Sequence, residues 1–457
     1  MRPKPIQPIV YATWVLVVGQ CLADAGHAND HVLTWEVSHP ELSKIFGHPF
    51  SPDGQQHRAQ SFVRWPSTLH STGLPAIQPT VTVGSNDELF ALSYSPKGWD
   101  LGMVAHSQDG GKTWSHVGSP IDMRFKAPQG SKQLRVVGNG IGITEKGSLL
   151  YYFTVHYHDG QVRPPGEDDP SHRIEAYGAR STDRGNSWES AVKLNSNARE
   201  QTGAQISRLT RLPEGRVGLV LGAWDLSTPD GKPIPKAIAH AETYLYTSSD
   251  DGKTWQREPK PICAHGVEPD LLALPSGRLL MAIRYQRHKF ANDPPDLASP
   301  HLLRSDKPPY TKSKQLYSGL VARFTAILYS DDGGNTWTEP RLLTGFDEQT
   351  ASLVRLSDGT VVLPFGYKTD TRGQRFVISY DEGETWSRTV FQLNADGQYA
   401  SSIVLTDDTI VTAFHGTKGL NLQTLRWRAP PRTTVAAGGF WTPRVVEPLG
   451  RRVTRKR

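Results

Sequence analysis

An eight-residue pattern, S-x-D-x-G-x-[ST]-W, occurs five times in the chain and constrains the fold more than any other feature. The five octets begin at residues 107, 181, 248, 330 and 379. Four fixed residue types at fixed offsets identify a repeat protein. Asp can accept hydrogen bonds from backbone amides about two or three residues ahead, Gly supplies a positive φ, and the hydroxyls complete a tight turn. We interpret each octet as a structural turn whose Trp wedges between neighbouring sheets.

A second repeat alternates with the octets and predicts β-hairpins. Each copy has a short apolar strand, a polar turn that usually contains Gly, and a second apolar strand. The copies span residues 79–94, 140–152, 207–224, 269–285, 351–367 and 401–414. The first five are each followed by an octet, so one unit contains four antiparallel strands. Six units predict an all-β fold, a six-bladed β-propeller over residues 31–430, in which the strand-like segment 420–427 completes the sixth blade.

The N-terminus has the composition of an export signal. Arg2 and Lys4 precede an apolar run over residues 9–19, and small residues follow at 23–25. This predicts a cleaved signal peptide over residues 1–25 and a periplasmic or extracellular protein. No later stretch approaches the ~20 apolar residues of a membrane span. Segment 31–50 is expected to be a lead-in that can carry a strand closing the fold.

Charge and ligand-type residues narrow the possible partners. The net charge of +6 is partly due to a basic C-terminal tail, residues 431–457, which we interpret as a solvated end rather than a nucleic-acid site. The charge does not oppose an acidic substrate. The sixteen His show no metal-binding spacing, so neither a metal nor a cofactor is predicted. Two long inserts, 158–173 and 286–319, are expected to rim the channel mouth.

Two charged residues flank the fourth hairpin and are the first candidates for chemistry. Glu268 precedes its first strand and Arg284 ends its second. In a propeller the innermost strands carry the residues that face the channel, and a hairpin can return the chain so that both side chains face one pocket. Taken alone, either residue is an ordinary surface charge.

The segment from Glu268 to Arg284 reads E-P-x-L-x-x-L-x-x-G-R-L-L-x-x-x-R and resembles the exo-sialidases (neuraminidases). That family carries Asp-box repeats, similar to the octets, on a six-bladed propeller. The resemblance covers residues 79–416. It implies that Glu268 activates a tyrosine nucleophile and that Arg284 belongs to an arginine triad that grips the substrate carboxylate. The boxes are specific to the superfamily and not to the activity.

The resemblance extends to a tyrosine and to a second arginine. Tyr399 lies thirteen residues after the last octet and before a strand with a D-D-T-I turn, where the family has its nucleophile. A triad arginine normally precedes that octet by a few residues. Arg372 and Arg375 are both candidates, and the sequence does not separate them.

The chemistry implied by the resemblance is consistent with these residue types. The anomeric carbon of a sialic acid carries a carboxylate, which repels an anionic nucleophile but not a phenol activated by a nearby Glu. The planar fork of Arg suits a carboxylate. A general acid, usually Asp in the first blade, would protonate the leaving oxygen, and Asp100 is the best candidate here. One departure is clear, because Ile77-Gln78-Pro79 stands where the family has R-I-P and its first triad Arg.

Together these patterns predict an exported glycoside hydrolase that removes a terminal, acidic sugar from a glycan or glycoconjugate. The missing arginine keeps two alternatives open. The first is a non-catalytic propeller that binds glycans or proteins at its channel mouth. The second is an enzyme that accepts another acidic sugar or a neutral one. The sequence leaves the linkage and the oligomeric state undetermined.

Overall fold

The computed structural model describes most of the predicted repeat region. The described residues are 33–34, 61–95, 98–120, 132–158, 173–194, 200–202, 207–225, 242–288, 320–345, 348–367, 373–416 and 420–445. The predicted signal peptide and nearly all of the two long inserts lie outside them.

Three strands precede the repeats, and the first three units follow as three antiparallel sheets. The leading strands are β1 (Leu33–Thr34), β2 (Ser61–Arg64) and β3 (Thr68–Pro75). Blade one contains β4 (Val81–Val83), β5 (Leu89–Ser95), β6 (Gly98–Ser107) and β7 (Ser115–Gly118). Blade two contains β8 (Lys132–Ile143), β9 (Leu149–His158), β10 (Arg173–Ser181) and β11 (Val192–Lys193). Blade three contains β12 (Glu200–Thr202), β13 (Thr210–Arg211), β14 (Val217–Asp225), β15 (Glu242–Ser248), β16 (Gln256–Arg257) and β17 (Cys263–Ala264).

The remaining units form three further sheets, followed by a short C-terminal segment. Blade four contains β18 (Gly266–Ala273), β19 (Leu279–His288), β20 (Leu320–Ser330) and β21 (Arg341–Leu342). Blade five contains β22 (Glu348–Ala351), β23 (Val354–Arg355), β24 (Val361–Tyr367), β25 (Gly373–Ser379) and β27 (Val390–Gln392), with β26 (Trp386–Ser387) beside them. Blade six contains β28 (Gln398–Val404), β29 (Ile410–His415) and β30 (Asn421–Trp427). Helix α1 (Arg432–Ala437) and strands β31 (Phe440–Trp441) and β32 (Arg444–Val445) follow.

The six sheets confirm the predicted all-β, six-bladed β-propeller. Each hairpin predicted from the sequence supplies the first two strands of a blade, and the segment before each octet supplies the third. Within the described ranges no helix is long and apolar enough to cross a membrane.

The ring closes between the two ends of the chain. The fourth strand of blade six is β3, which pairs antiparallel with β30 in a register that places Leu69 opposite Leu425. The closing strand is therefore 68–75 and not the lead-in 31–50, whose described part, β1, pairs instead with β2. Strand β2 runs parallel to β27 on blade five. An edge strand must find a partner or be covered, and β3 covers the edge of β30.

The beginning of the predicted C-terminal tail is part of the fold. After α1, β31 pairs with β26, and β32 pairs with β21 at the outer edge of blade four. Val435 of α1 is fully buried against the cluster between blades five and six. The expectation of a solvated end does not hold for residues 432–445, because Val435 and Trp441 are buried and β31 and β32 pair with strands of the blades. The basic terminus itself lies outside the described residues.

The core consists of separate apolar clusters between successive blades. Trp114, Trp188, Trp255, Trp337 and Trp386, the last residues of the octets, each pack against the cluster between their own blade and the preceding one. Blade six has no octet. Trp427, at the end of β30, packs into the remaining cluster, between blades five and six. This arrangement matches the wedge expected of the octet tryptophans.

The octet that starts at Ser330 shows how these turns are built. The Ser330 hydroxyl donates to Asp332 Oδ1 at 2.8 Å and accepts from the Gly334 amide at 2.9 Å. The Thr336 amide and hydroxyl donate to the same carboxylate at 2.8 and 2.6 Å. Trp337 Nε1 closes the turn on the Gly334 carbonyl at 3.1 Å. The amide that Asp332 binds is four residues ahead, one or two further than a simple Asx turn predicts.

Candidate functional site

The two ends of the blades differ in what they carry. We call the end that bears the octets and the hairpin turns the turn end. The innermost strands β18, β22 and β28 start at the opposite end, which we call the upper end. The second strands of the hairpins also finish there, so the upper end collects the residues that the resemblance singles out.

Four innermost segments share a backbone irregularity at the upper end. Gln78, Glu268, Thr350 and Tyr399 have φ values of 53°, 50°, 57° and 62°. The register of the hairpin shifts at the last three of these positions, between 267 and 270, between 349 and 351 and between 398 and 401. A positive φ is unfavourable for residues other than Gly, and such outliers concentrate at functional sites. A bulge re-aims a side chain at the end of a strand.

Glu268 and Arg284 are in direct contact. Arg284 Nη1 donates to both carboxylate oxygens of Glu268, at 2.8 and 2.9 Å. The Thr350 hydroxyl donates to Glu268 Oε2 at 2.5 Å, and Arg284 Nη2 donates to Gln286 Oε1. Arg284 is 5% exposed. Blades four and five therefore share one polar cluster, in which the carboxylate that the resemblance names as a base is held by a cation and a hydroxyl.

Arg375 forms a second buried ion pair, with Glu348. Its Nη1 donates to Glu348 Oε1 at 2.8 Å, and the Gly345 amide donates to Oε2 at 2.7 Å. The guanidinium lies 3.9 Å from the ring centroid of Tyr367. Burial lowers the pKa of Arg375 to about 10, and the charge of Tyr367 acts in the opposite direction. The guanidinium is still cationic at neutral pH, and it is neutralised by a carboxylate of its own blade.

Tyr399 lies beside His415, at the end of the same hairpin. The two ring centroids are 5.4 Å apart and the planes are tilted by 30°. The backbone amide of Gln78 donates to His415 Nδ1 at 3.1 Å, so that nitrogen is unprotonated in this contact. Blade one is thereby joined to blade six at Gln78, the middle residue of the segment that stands in place of R-I-P. Ile77, in the position of the arginine that the resemblance implies, brings no charge to the site.

A buried network around Arg208 and Asp270 connects the inner segments of several blades. Arg208 Nη2, from blade three, donates to Asp270 Oδ2 at 2.9 Å and to the Leu353 carbonyl at 2.8 Å, and Nη1 donates to the Ser402 carbonyl. Asp270 also accepts from the Ser352 hydroxyl at 3.0 Å. Burial raises the pKa of Asp270, and the charge of Arg208 opposes this shift. One arginine thus links the inner strands of four blades.

The side chains of two predicted site residues, Arg372 and Asp100, are not described by the structure. Arg372 lies outside the described residues. Asp100 falls on strand β6, where only the backbone is described, so the predicted general acid has no observed environment. The structure brings together Glu268 and Arg284, places Arg375 in its own ion pair, and places Tyr399 on the bulge of blade six.

Three residues that the sequence reasoning passed over belong to this end of the blades. Thr350 binds Glu268, Glu348 binds Arg375, and His415 stands beside Tyr399. A comparison of the units in register could have found the first, because Thr350 directly precedes the predicted hairpin 351–367, as Glu268 directly precedes 269–285. The other two are defined by contacts across strands, which no spacing in the sequence records.

The groups at this end are suited to acid–base and nucleophilic chemistry. Within the described ranges no group of three His, Cys, Asp or Glu is arranged to hold a metal ion. The two arginines are balanced by two carboxylates, so these four groups carry no net charge. This end of the blades carries a phenol, and two guanidinium groups that are each paired with a carboxylate.

A separate cavity of about 310 Å³ lies at the turn end, between blades one and two. Glu88 Oε1 on its wall lies 2.7 Å from His106 Nε2 and 3.4 Å from Arg184 Nη1. Arg211 also lines it. This cavity is on the far end of the strands from Glu268 and Tyr399.

Comparisons with known proteins support the architecture. A solved structure of a protein of unknown function from Dyadobacter fermentans is 17% identical, matches with a TM-score of 0.55, and covers 79% of this chain and 98% of that chain. The Hadza microbial sialidase is 16% identical, matches with a TM-score of 0.51, and covers 80% of this chain and 67% of that chain. No family model matches the sequence, and no curated protein matches it. At these identities the likeness shows a shared propeller fold.

Proposed function

We propose that this protein is a glycoside hydrolase that removes a terminal sugar from glycans, with Tyr399 as the nucleophile and Glu268 as its base. The observation that carries the proposal is the shared bulge of Glu268, Thr350 and Tyr399, which places a carboxylate, a hydroxyl and a phenol at the upper ends of three successive innermost strands. The bulges have an energetic cost, and an active site is where such a cost is retained.

In the proposed reaction the phenol oxygen of Tyr399 attacks the anomeric carbon, and Glu268 takes the phenol proton. The ion pair with Arg284 favours the carboxylate form of Glu268, which is the form that accepts a proton. A general acid, for which Asp100 remains the candidate, gives a proton to the leaving oxygen. Water then attacks the anomeric carbon and displaces the phenol oxygen; it gives one proton to the group that acted as general acid, and the proton held by Glu268 returns to the phenol. Each step forms one bond and breaks one, so the catalyst is regenerated.

The substrate proposed first is an acidic terminal sugar, bound through Arg284 and Arg375. Both guanidinium groups already have a carboxylate partner, so a substrate carboxylate must share them with Glu268 and Glu348. Binding of an anion should therefore be weaker than at an unpaired arginine triad. A neutral or uronic sugar is retained as an alternative substrate for the same machinery. An exported protein would meet such glycans outside the cell, and the predicted signal peptide supports that location.

The proposal is tested with purified protein and aryl glycosides of sialic acid, uronic acids and neutral sugars. We expect the wild type to release the aryl group from at least one of them. Tyr399→Phe should lower kcat by at least ~10³-fold, and Glu268→Gln by ~10²–10⁴-fold, because each removes a group that acts in the transition state. Tyr380→Phe, which removes a hydroxyl at the turn end, is the matched control and should keep full activity. Release by the wild type that survives Tyr399→Phe would reject the tyrosine as nucleophile.

A second function, non-catalytic glycan binding at the upper end, is favoured by one observation. The position of the first arginine that the resemblance implies is occupied by Ile77, and the two remaining arginines are paired internally. If the wild type cleaves none of the glycosides but retains a sialylated glycan on a surface, and Arg284→Met abolishes that retention, the binding function replaces the hydrolase.

A further inference from the structure

Two glutamines of blade five are fully buried, and neither carboxamide has a hydrogen-bond partner among the residues that the structure describes. Gln349 lies on β22 and Gln374 on β25, and both are 0% exposed. The oxygen and the nitrogen of each carboxamide are buried without such a partner. Polar groups in a protein interior are almost always hydrogen-bonded, so these four atoms require an explanation.

The register of the sheet places the two glutamines on one face. Gln349 is directly opposite Gly366 of β24, and Gly366 is directly opposite Gln374 on its other side. Residues directly opposite one another in an antiparallel sheet project from the same face. The two side chains therefore lie on either side of a position that has no side chain of its own.

The face that bears the two glutamines is turned towards the bulge of Tyr399. A Cβ atom on Gly366 would lie 3.1 Å from the backbone nitrogen of Tyr399 and 3.5 Å from the Cα of Gln398. The backbone of β28 thus occupies the space over Gly366, with a glutamine strand on each side. Gly366 permits this approach, since any larger residue would push β28 away from blade five.

We propose that the carboxamides of Gln349 and Gln374 hold buried water against the backbone of β28, and that this water fixes the orientation of Tyr399. A carboxamide buried without a hydrogen bond costs about 1–3 kcal/mol on the scale of protein mutational data. One buried water makes about three hydrogen bonds, to groups that otherwise lack a partner. A carboxamide offers both donors and an acceptor, so the pair can bind water whichever way it is oriented.

The consequence for the candidate nucleophile follows from its backbone. Tyr399 has a φ of 62°, and the ladder between β28 and β29 skips from Gln398 to Ser401. A strained bulge keeps one conformation only when its surroundings hold it in place. Water bound between two fixed carboxamides does this from the side of blade five, while His415 contacts the ring from β29. Gln349 and Gln374 are therefore positioning residues for Tyr399.

The part of this inference that concerns catalysis rests on the proposed function. The experiments below therefore test the bound water and the orientation of Tyr399 separately from catalysis. A crystal structure of the wild type at high resolution should show at least one water within hydrogen-bond distance of a carboxamide of the pair and of the backbone at 398–400. Carboxamides that instead bond directly to protein groups would overturn the proposal.

The variants Gln349→Met and Gln374→Met remove the carboxamide at nearly constant volume. We expect Tm to stay the same or to rise, because an apolar group replaces a polar one in a buried site. We expect kcat to fall by ~10-fold or more at an unchanged KM, because small displacements of a reacting group are costly. Gln392→Met is the control, since the Gln392 carboxamide in the same blade donates to the Asn394 carbonyl at 3.0 Å. A merely structural role would lower Tm and leave kcat unchanged.

If the wild type cleaves no glycoside, the positioning of Tyr399 is read directly. 3-Fluorotyrosine placed at position 399 alone gives one ¹⁹F resonance. Gln349→Met and Gln374→Met should shift and broaden it, and Gln392→Met should leave it unchanged. An unchanged resonance in all three variants would overturn the positioning role, whatever the outcome for catalysis.

Discussion

At the scale of the residue, the octet aspartates show how a repeated motif can be purely structural. The carboxylate of Asp332 accepts hydrogen bonds from Thr336 and Ser330. These bonds lower the pKa of Asp332 to about 2, and the bond from the Thr336 hydroxyl has the largest effect. Asp183 in the second octet has the same pattern of hydrogen bonds. Its pKa is also lowered to about 2, and the bond from the Ser187 hydroxyl has the largest effect. Both of these turns are therefore stabilised by the ionised form of the aspartate.

This predicts the pH range in which these two octets contribute to stability. A folded pKa of about 2, below the ordinary 3.8, stabilises the fold above pH ~4, and the contribution is lost as the pH falls towards 2. Asp332→Ala should lower Tm by ~2–4 °C at pH 7. The difference from the wild type should shrink steadily below pH 4. Thermal unfolding of both proteins from pH 7 to pH 2.5 measures it. Glu339→Ala, which removes an exposed carboxylate of the same blade, should change Tm little, and a constant deficit for Asp332→Ala at all pH values would contradict the prediction.

The network around Arg208 gives a second prediction at this scale. Arg208→Met leaves the buried carboxylate of Asp270 without its cation, which should destabilise the fold by about 3–5 kcal/mol at pH 7. Burial already raises the pKa of Asp270, and the loss of Arg208 raises it further. Because the folded pKa lies above the unfolded one, the deficit should be larger at pH 8 than at pH 5.

Urea unfolding at the two pH values measures that deficit. Arg428→Met is the control, since Arg428 and Asp407 form an exposed pair, with 61% and 55% of their side chains accessible. Such a pair contributes at most about 1 kcal/mol. Equal deficits for the two variants would show that the Arg208 network does not hold the inner strands together.

At the scale of the element, the sequence predicts what is local and misses what is not. Turn residues and apolar strand segments mark the hairpins and octets in the sequence. The number of blades and the first two strands of each blade were therefore predictable. The closing strand β3 has no such signature: its register with β30 is set by contacts between residues more than 300 positions apart. The pairing of β31 and β32 with blades five and four was missed for the same reason.

In the candidate site, too, local features could be predicted from the sequence and contacts between separate strands could not. Glu268 and Arg284 lie on one hairpin, and their predicted approach could be reasoned from its two strands. The bulges at Thr350 and Tyr399 are backbone features, and no Gly or Pro at these positions indicates them in the sequence. They can be recognised only when the units are compared in register. The partner of Arg375, Glu348, is two strands away within the blade. A resemblance that names residue types therefore cannot show that both arginines already have carboxylate partners.

At the scale of the whole molecule, segments from both ends of the chain pair with the blades. Strand β3 completes blade six from the N-terminal side, and the Trp65 indole donates to the Arg428 carbonyl at 2.7 Å beside it. Strands β31 and β32 add to blades five and four from the C-terminal side. Only the first closes the ring, because it joins the last blade to a segment that leads directly into blade one. The second lies across the outer edges of blades that are already complete.

This difference predicts unequal effects of two truncations. A chain that begins at residue 77 lacks β3, so the edge of β30 is exposed and blades six and one are no longer joined through the chain. Its Tm should fall by more than ~10 °C, and size-exclusion chromatography should show association through the open edge. A chain that ends at residue 430 loses α1, β31 and β32 but keeps the ring, and its Tm should fall by less.

A synthetic peptide of residues 61–76, added to the first truncation, should restore part of the lost Tm, because it can pair with β30 as β3 does. Equal losses for the two truncations, or no response to the peptide, would mean that the ring does not depend on this strand.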